Sequence, residues 1–222
     1  MPQTTKIPDK DALKRVGKQV RERLEADPGV YKFPTDQVEL YALGDFLTKA
    51  ECDRLCLMID MTARPSTLHE EDYSTGFRTS YSGDLDQADS FVKSISRRID
   101  DLLGLPGSVG EALQGQRYLP GQQFKPHQDY FHVTEAYWKD ERKRGGQRSW
   151  TAMAFLNTVE EGGQTHFTHI GAKIDPKPGA LLIWNNAQPD GSPNAATIHA
   201  GMPVLKGSKY VFTKWYRTRT WK

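Results

Sequence analysis

The strongest constraint on this chain is a change of texture near its midpoint. From about residue 113 onward, short β-branched or aromatic runs follow one another, each closed by Gly, Pro or Asn. They are "LQGQRYLPG", "WTAMAFLNT", "GGQTHFTHIG", "GALLIWNN", "ATIHAG" and "KYVFTKWYRTRTW". Runs of this length and punctuation predict strands, and several at such spacing predict a sandwich or barrel.

The first half reads differently. In "DALKRVGKQVRERLEADPG" the residues Leu13, Val16, Val20 and Leu24 recur at helical spacing, with Asp11 as the expected cap and Asp27-Pro28-Gly29 as the stop. "LTKAECDRLCLMID" carries a capping-box pattern at Thr48 and Glu51, with Leu55, Met58 and Ile59 on the apolar side. "ADSFVKSISRRIDDLLGLPG" makes a third helix through Phe91, Ile95, Ile99, Leu102 and Leu103, and Gly104 to Gly107 end it. The expectation is an α+β chain with a mainly β core, buttressed by N-terminal helices. Residues 1–38 read as an N-terminal helical segment and 39–222 as the strand-rich domain with its supporting helices. The apolar face of the first helix suits either the domain's own core or a dimer, so monomer and homodimer both stay open.

Composition narrows the partners. The 222 residues carry 30 Lys+Arg against 28 Asp+Glu, a net charge of +2. No global field favours nucleic acid, and no basic array interleaved with aromatics is present. No stretch approaches the ~20 apolar residues of a membrane span, and "MPQTTKIPDK" lacks the apolar core of a secretory signal. A cytoplasmic location and no membrane partner are the expectations. Cys52 and Cys56, four apart on one helix, suit reduced, half-buried thiols better than a disulfide, and no further soft metal ligand lies near them.

Two segments resist the strand pattern. "EAYWKDERKRGGQR" (135–148) is a charged, Gly-bearing excursion, and "NNAQPDGSPNAAT" (185–197) is rich in Pro, Gly, Asn and Asp. Each reads as a substrate-facing loop or as plain solvated surface.

Chemistry concentrates in "FKPHQDYF". Side chains two apart on a strand share a face, so His127 and Asp129 can converge on one ion while Gln128 points away. Alone, such a pair is a weak signal. It strengthens at "TIHAGMPVLKGSKYVFTKWYR", where His199 sits on another strand and Lys206-Gly207-Ser208 turns the chain into the last one. Two histidines and one carboxylate leave coordination positions open, which suits non-haem Fe(II) and O₂. On the final strand Lys209, Val211, Thr213, Trp215 and Arg217 share a face, and Tyr210, Phe212, Lys214 and Tyr216 take the other. Lys209 is thus placed to anchor the far carboxylate of an acid that chelates the metal.

Other candidates read as ordinary. His166 and His169, three apart, face opposite sides of a strand, and His132 lies on the face opposite His127. His69 sits in the polar "LHEEDYSTGFRTS" with no evident partner, and Lys206, Lys214, Arg219 and Lys222 read as a solvated basic face. Arg148 and Arg217 fit surface salt bridges as well as they fit a site.

Residues 78–217 resemble the prolyl 4-hydroxylase branch of the Fe(II)- and 2-oxoglutarate-dependent dioxygenases. The likeness runs through "RTS", "EALQGQRYLPGQQFKPHQDYF", "RSWTAMAFLNTVEEGGQTHF", "PKPGALLIWNN" and "HAGMPVLKGSKYVFTKWYR". It implies a double-stranded β-helix, a cupin-like jelly roll. It implies His127, Asp129 and His199 as iron ligands, Lys209 as partner of the distal carboxylate of 2-oxoglutarate, and Tyr118 as a second hydrogen-bond partner of that carboxylate. Thr165 and Trp215 would line the cosubstrate pocket. Arg148 matches an arginine that handles substrate, and Arg217 stands where some members carry a substrate-serving histidine. The implied cofactors are Fe(II), 2-oxoglutarate and O₂, with ascorbate as reductant. The implied activity is hydroxylation of prolyl residues in a peptide or protein with release of succinate and CO₂. A free amino acid or other small molecule is the alternative substrate, and demethylation of nucleic acid a more distant one. A cupin-like module holding metal or peptide without turnover is the alternative of another class.

Overall fold

The computed structural model describes residues 8–66 and 76–222. The chain begins with α1 (Lys10–Ala26), β1 (Val30–Lys32), β2 (Leu40–Leu43), α2 (Lys49–Thr62), β3 (Arg64–Pro65), β4 (Tyr81–Asp84) and α3 (Ser90–Leu103). Then come β5 (Gln114–Tyr118), β6 (Phe124–His127), α4 (Trp138–Arg144), β7 (Arg148–Phe155), β8 (Glu161–Gly162) and β9 (Thr165–Phe167). β10 (Ala172–Ile174), β11 (Leu181–Asn185), β12 (His199–Gly201), β13 (Val204–Lys206) and β14 (Lys209–Arg217) complete it. His69 and much of the polar stretch around it lie outside the described residues.

The helix signals act as read, with one shift. Thr48 and Glu51 form a reciprocal capping box at the start of α2, and α3 ends on Gly104 in the left-handed conformation. α1 is capped by Asp9, whose carboxylate accepts from the Ala12 amide, and not by Asp11. Asp11 falls inside the first turn, where a negative charge still suits the helix dipole.

The strands form an eight-stranded sheet, β1-β2-β11-β7-β14-β5-β4-β3, and a four-stranded sheet, β10-β9-β12-β6, with β13 and β8 as a separate pair. Among the described residues every pairing is antiparallel. Alternation along β7, β11 and β14 divides the core in two. Trp150, Ala152, Ala154, Leu181, Ile183, Phe212 and Tyr216 face the helices, where they pack with Val20, Leu24, Leu55, Ile95 and Ile99. Met153, Phe155, Leu182, Trp184 and Val211 face the smaller sheet and pack with Tyr118 and Phe167. The helices therefore cover one face of the large sheet and leave the other to the site.

Two details show how tightly the helical layer is seated. Gly83 and Gly115 are paired across β4 and β5, and a β-carbon on Gly83 would lie 2.7 Å from the carbonyl oxygen of Ile59 on α2. Lys214 does not belong to a solvated face: it is 1% exposed and reaches from β14 under α3, where its Nζ donates to Ser96 Oγ at 2.7 Å and to the Asp100 carboxylate. Its alternation with Thr213 and Trp215 was legible, but the acidic residue waiting on α3 was not. The N-terminal helix likewise turns Val20 and Leu24 into the domain's own core. Cys52 and Cys56 are both free thiols, one buried and one half-buried. Among the described residues, no helix is long and apolar enough to cross a membrane.

Candidate active site

The site lies between the two sheets, where β6 and β12 run side by side. His127 and His199 are direct partners in that ladder, with ring centroids 4.4 Å apart. Asp129 is not on the strand: β6 ends at His127, and the chain leaves the sheet before bringing the carboxylate back toward the same point. One ligand atom from each of the three residues lies within 4.8 Å of the others.

The surroundings fix what each group can offer. His127 Nδ1 lies 2.8 Å from the Lys125 carbonyl and His199 Nδ1 lies 3.0 Å from the Thr197 carbonyl. A carbonyl only accepts, so both Nδ1 atoms carry the proton and both Nε2 lone pairs are left for a metal. Burial, reinforced by the neighbouring His199, pushes the His127 pKa down to about 3, so the ring is neutral at ordinary pH. For Asp129, burial works to raise the pKa, but His199, His127, Arg148 and the Thr151 hydroxyl together hold it below the usual value. Two imidazoles offering Nε2 and one carboxylate form a donor set that fits Fe(II) and leaves positions open.

Thr151 and Asn186 stand behind the carboxylate. The Thr151 hydroxyl donates to Asp129 Oδ2 at 2.8 Å, and Asn186 Nδ2 donates to Thr151 Oγ1 at 2.9 Å. Since the hydroxyl has one proton and receives another from Asn186, its direction toward Asp129 is set. Oδ2 is thereby engaged and Oδ1 is left for coordination. Neither residue was named from the sequence. The period-two pattern of β7 places Thr151 on the site face, but nothing in "WNN" announces that Asn186 supports it.

Deeper between the sheets is a cavity lined by Gln116, Tyr118, Met153, Thr165, Lys209, Val211, Thr213 and Trp215, with the three candidate ligands at its mouth. Lys209 and Tyr118 oppose each other across β14 and β5. Lys209 Nζ donates to Thr165 Oγ1 at 3.2 Å, and burial pulls its pKa down to about 7. The Tyr118 hydroxyl donates to Gln116 Oε1 at 2.9 Å. A buried lysine beside hydroxyls, in a cavity that the metal-ligand candidates also line, fits one carboxylate of a dicarboxylic acid whose other end would reach those ligands.

Outside the ligands the cavity opens into a wide groove bordered by Phe77, Arg78, Phe131, Tyr137, Arg148, Trp215 and Trp221. Arg148 binds Glu111 side-on, Nε to Oε1 at 2.7 Å and Nη2 to Oε2 at 2.9 Å, and stacks between Phe131 and Trp215. Arg217 has a different situation: Nε, Nη1 and Nη2 are engaged by Glu111, the Gly146 carbonyl and Glu141 respectively. Glu141 belongs to α4, inside the charged excursion, where "WKDERKR" gave no sign that one of its carboxylates is buried. His132 borders the groove as a loop residue, His166 lies on β9, and His169 is beyond that strand's end.

Comparison with known proteins agrees with this geometry. Residues 113–217 match the family model described as the 2OG-Fe(II) oxygenase superfamily. Prolyl 4-hydroxylase 5 of Arabidopsis thaliana is 33% identical over 207 residues, covering 80% of this chain and 68% of the relative. The chain belongs to the prolyl 4-hydroxylase family of 2-oxoglutarate- and Fe(II)-dependent oxygenases. Prolyl 4-hydroxylase subunit alpha-1 of Gallus gallus is 35% identical over 176 residues, 78% of this chain but only 32% of that larger protein. Among solved structures, the 2OG complex of the viral collagen prolyl hydroxylase from Paramecium Bursaria Chlorella virus-1 superposes with a TM-score of 0.62 at 25% identity, covering 79% of this chain and 94% of that one. A prolyl hydroxylase from Trichoplax adhaerens, in complex with a peptide fragment of hypoxia inducible factor, shares the fold at a TM-score of 0.63 and 17% identity, over 94% of this chain and 91% of that one. The facing sheets are thus the double-stranded β-helix of prolyl 4-hydroxylases, and the buttressing helices are those of α1 to α3.

Proposed function

We propose that the protein hydroxylates prolyl residues within a peptide or protein chain, releasing succinate and CO₂. The observation that carries this reading is the join between two spaces, a narrow cavity lined by Lys209 and His199 and a wide aromatic groove, with His127 and Asp129 bordering both. A small dicarboxylate fits the first. The second, bordered by Phe77, Phe131, Tyr137 and Trp221, suits an extended Pro-containing segment, because aromatic-lined grooves recognise polyproline conformations. Similarity to proteins named prolyl 4-hydroxylases supports the same choice.

In this reading His127, Asp129 and His199 hold Fe(II), and Lys209, Tyr118 and Thr165 hold the distal carboxylate of 2-oxoglutarate. The bound iron, with 2-oxoglutarate and O₂, supplies an oxidant able to attack an unactivated C–H bond. The protein's own part is positional. Thr151 and Asn186 orient the Asp129 carboxylate, while Trp215 and Phe131 clamp Arg148 at the groove, where its guanidinium can donate to a substrate carbonyl. The apolar walls formed by Met153 and Val211 exclude water from the cosubstrate cavity.

The test is incubation of the purified protein with Fe(II), ascorbate as reductant and 2-oxoglutarate, with and without Pro-containing peptides. Succinate should form above a His127→Ala control and rise with a suitable peptide. Iron binding with no succinate under any substrate condition would instead mark a binding module without turnover.

A further inference from the structure

α4 closes one side of the groove and is held there partly by charge. Glu141 and Arg217 are each 3% exposed, and Arg217 Nη2 donates to Glu141 Oε2 at 2.5 Å. The same guanidinium donates from Nε to Glu111 Oε1 at 2.5 Å and from Nη1 to the Gly146 carbonyl at 2.7 Å. Arg148 completes the cluster through its two bonds to Glu111. Two largely buried arginines face two largely buried glutamates here, and the exposed Arg144 of α4 adds a longer contact to Glu141 at 3.6 Å.

Buried ion pairs are a poor device for stability alone, since apolar residues of similar size do as well or better. What they supply is a fixed arrangement. Every nitrogen of Arg217 has an acceptor inside the protein, so none is left for a ligand. Arg148 differs: one edge is engaged by Glu111, and its Nη1 has no acceptor among the described residues. Glu111 Oε1 is shared by both arginines, which makes the orientation of Arg148 depend on Arg217.

We propose that Arg217 is a positioning residue. Through Glu111 it aims the open edge of Arg148 into the groove, and through Glu141 and Gly146 it sets α4 as the wall against which the peptide lies. This rests on the peptide-hydroxylase reading above. It assigns the substrate contact to Arg148 and a supporting role to Arg217.

The experiment compares Arg217→Gln and Glu141→Gln, singly and together, with the wild type on a Pro-containing peptide that the wild type oxidises. Each single variant should raise the peptide KM about tenfold with kcat changed less than about threefold, while Fe(II) and 2-oxoglutarate affinities hold. The double variant should be no worse than the singles, because both break one latch. Arg217→Lys, which keeps the charge without the fork, should recover part of the loss. If Arg217→Gln raises KM while Glu141→Gln is silent, Arg217 touches the peptide itself and the proposal is overturned. Hydrogen exchange supplies a readout that needs no substrate: both variants should speed exchange of amides 138–147 while β6 and β12 stay protected. Unchanged exchange there would overturn the latch. Failure of the wild type to oxidise any peptide would count against the substrate reading, and the exchange result would still decide this one.

Discussion

The Thr151 hydroxyl donates a 2.8 Å hydrogen bond to Asp129 Oδ2, and the direction of that bond is imposed by Asn186 on the far side. The carboxylate that would complete the iron site is therefore aimed by residues that never touch the metal. Replacing Thr151 with Val keeps the shape and removes the donor. The expected result is a loss of metal affinity of about tenfold or more, since groups that orient a ligand commonly contribute 10–100-fold. Titration with Mn(II) or Co(II) reads the affinity directly, thermal unfolding checks the fold, and Thr151→Ser should restore most of the binding. Unaltered metal affinity in Thr151→Val would remove this role.

If Lys209 pairs with a carboxylate of 2-oxoglutarate, as proposed, binding should depend on pH. Burial lowers the lysine's pKa from 10.5 to about 7, so between these values the unfolded chain holds a proton that the fold releases. This residue therefore opposes folding most below about pH 7, and its penalty fades as pH rises toward 10.5. Pairing with a carboxylate needs the ammonium form. Above about pH 7 binding should therefore take up close to one proton and weaken with rising pH. Calorimetric titration with 2-oxoglutarate in two buffers of different ionisation enthalpy measures the uptake. No uptake on the alkaline side would contradict the pairing. Lys209→Ala should weaken 2-oxoglutarate binding and leave Fe(II) binding nearly intact, and equal loss of both would remove the assigned role.

Much of this site was legible because strands carry it. Period-two alternation alone places Lys209, Val211, Thr213 and Trp215 on one face of β14, and the structure puts all four along the cavity. His127 and Asp129 were expected on one strand face, yet Asp129 comes from the loop beyond β6 and reaches the same point by a turn that no periodicity encodes. The charged partners were the least legible. Glu111, Glu141 and Asp100 meet their cations 106, 76 and 114 residues away in sequence, and local pattern holds no record of such meetings. For the same reason Lys214 read as solvated surface.

The buried Lys214 yields a stability prediction. Its ammonium is held by Ser96 and Asp100, and the Tyr216 hydroxyl donates to the same carboxylate at 2.7 Å. Asp100→Ala leaves a buried charge without its counterpart and should cost about 3–5 kcal/mol, read by urea unfolding. Pairing it with Lys214→Met should return much of the loss. A single-variant loss below about 1 kcal/mol would show that the ammonium finds other solvation.

The Gly83 and Gly115 pair gives an independent check on the helical layer. A β-carbon on Gly115 would overlap the Ile59 side chain and lie 2.9 Å from the Gly83 carbonyl oxygen. Gly115→Ala should therefore destabilise by about 1–3 kcal/mol through overpacking, and Ile59→Ala in the same chain should suppress the added clash. Equal stability of Gly115→Ala and wild type would mean that α2 shifts without resistance.

In the proposed reaction, this cavity and groove oxidise a prolyl residue with iron and 2-oxoglutarate. Mass spectrometry of a Pro-containing peptide library, incubated with the protein, Fe(II), ascorbate and 2-oxoglutarate, tests it most directly. One added oxygen on a prolyl residue is expected, matched by succinate and absent with His199→Ala. Succinate formed with no oxygen on any prolyl residue, or oxygen placed on a different side chain, would contradict it.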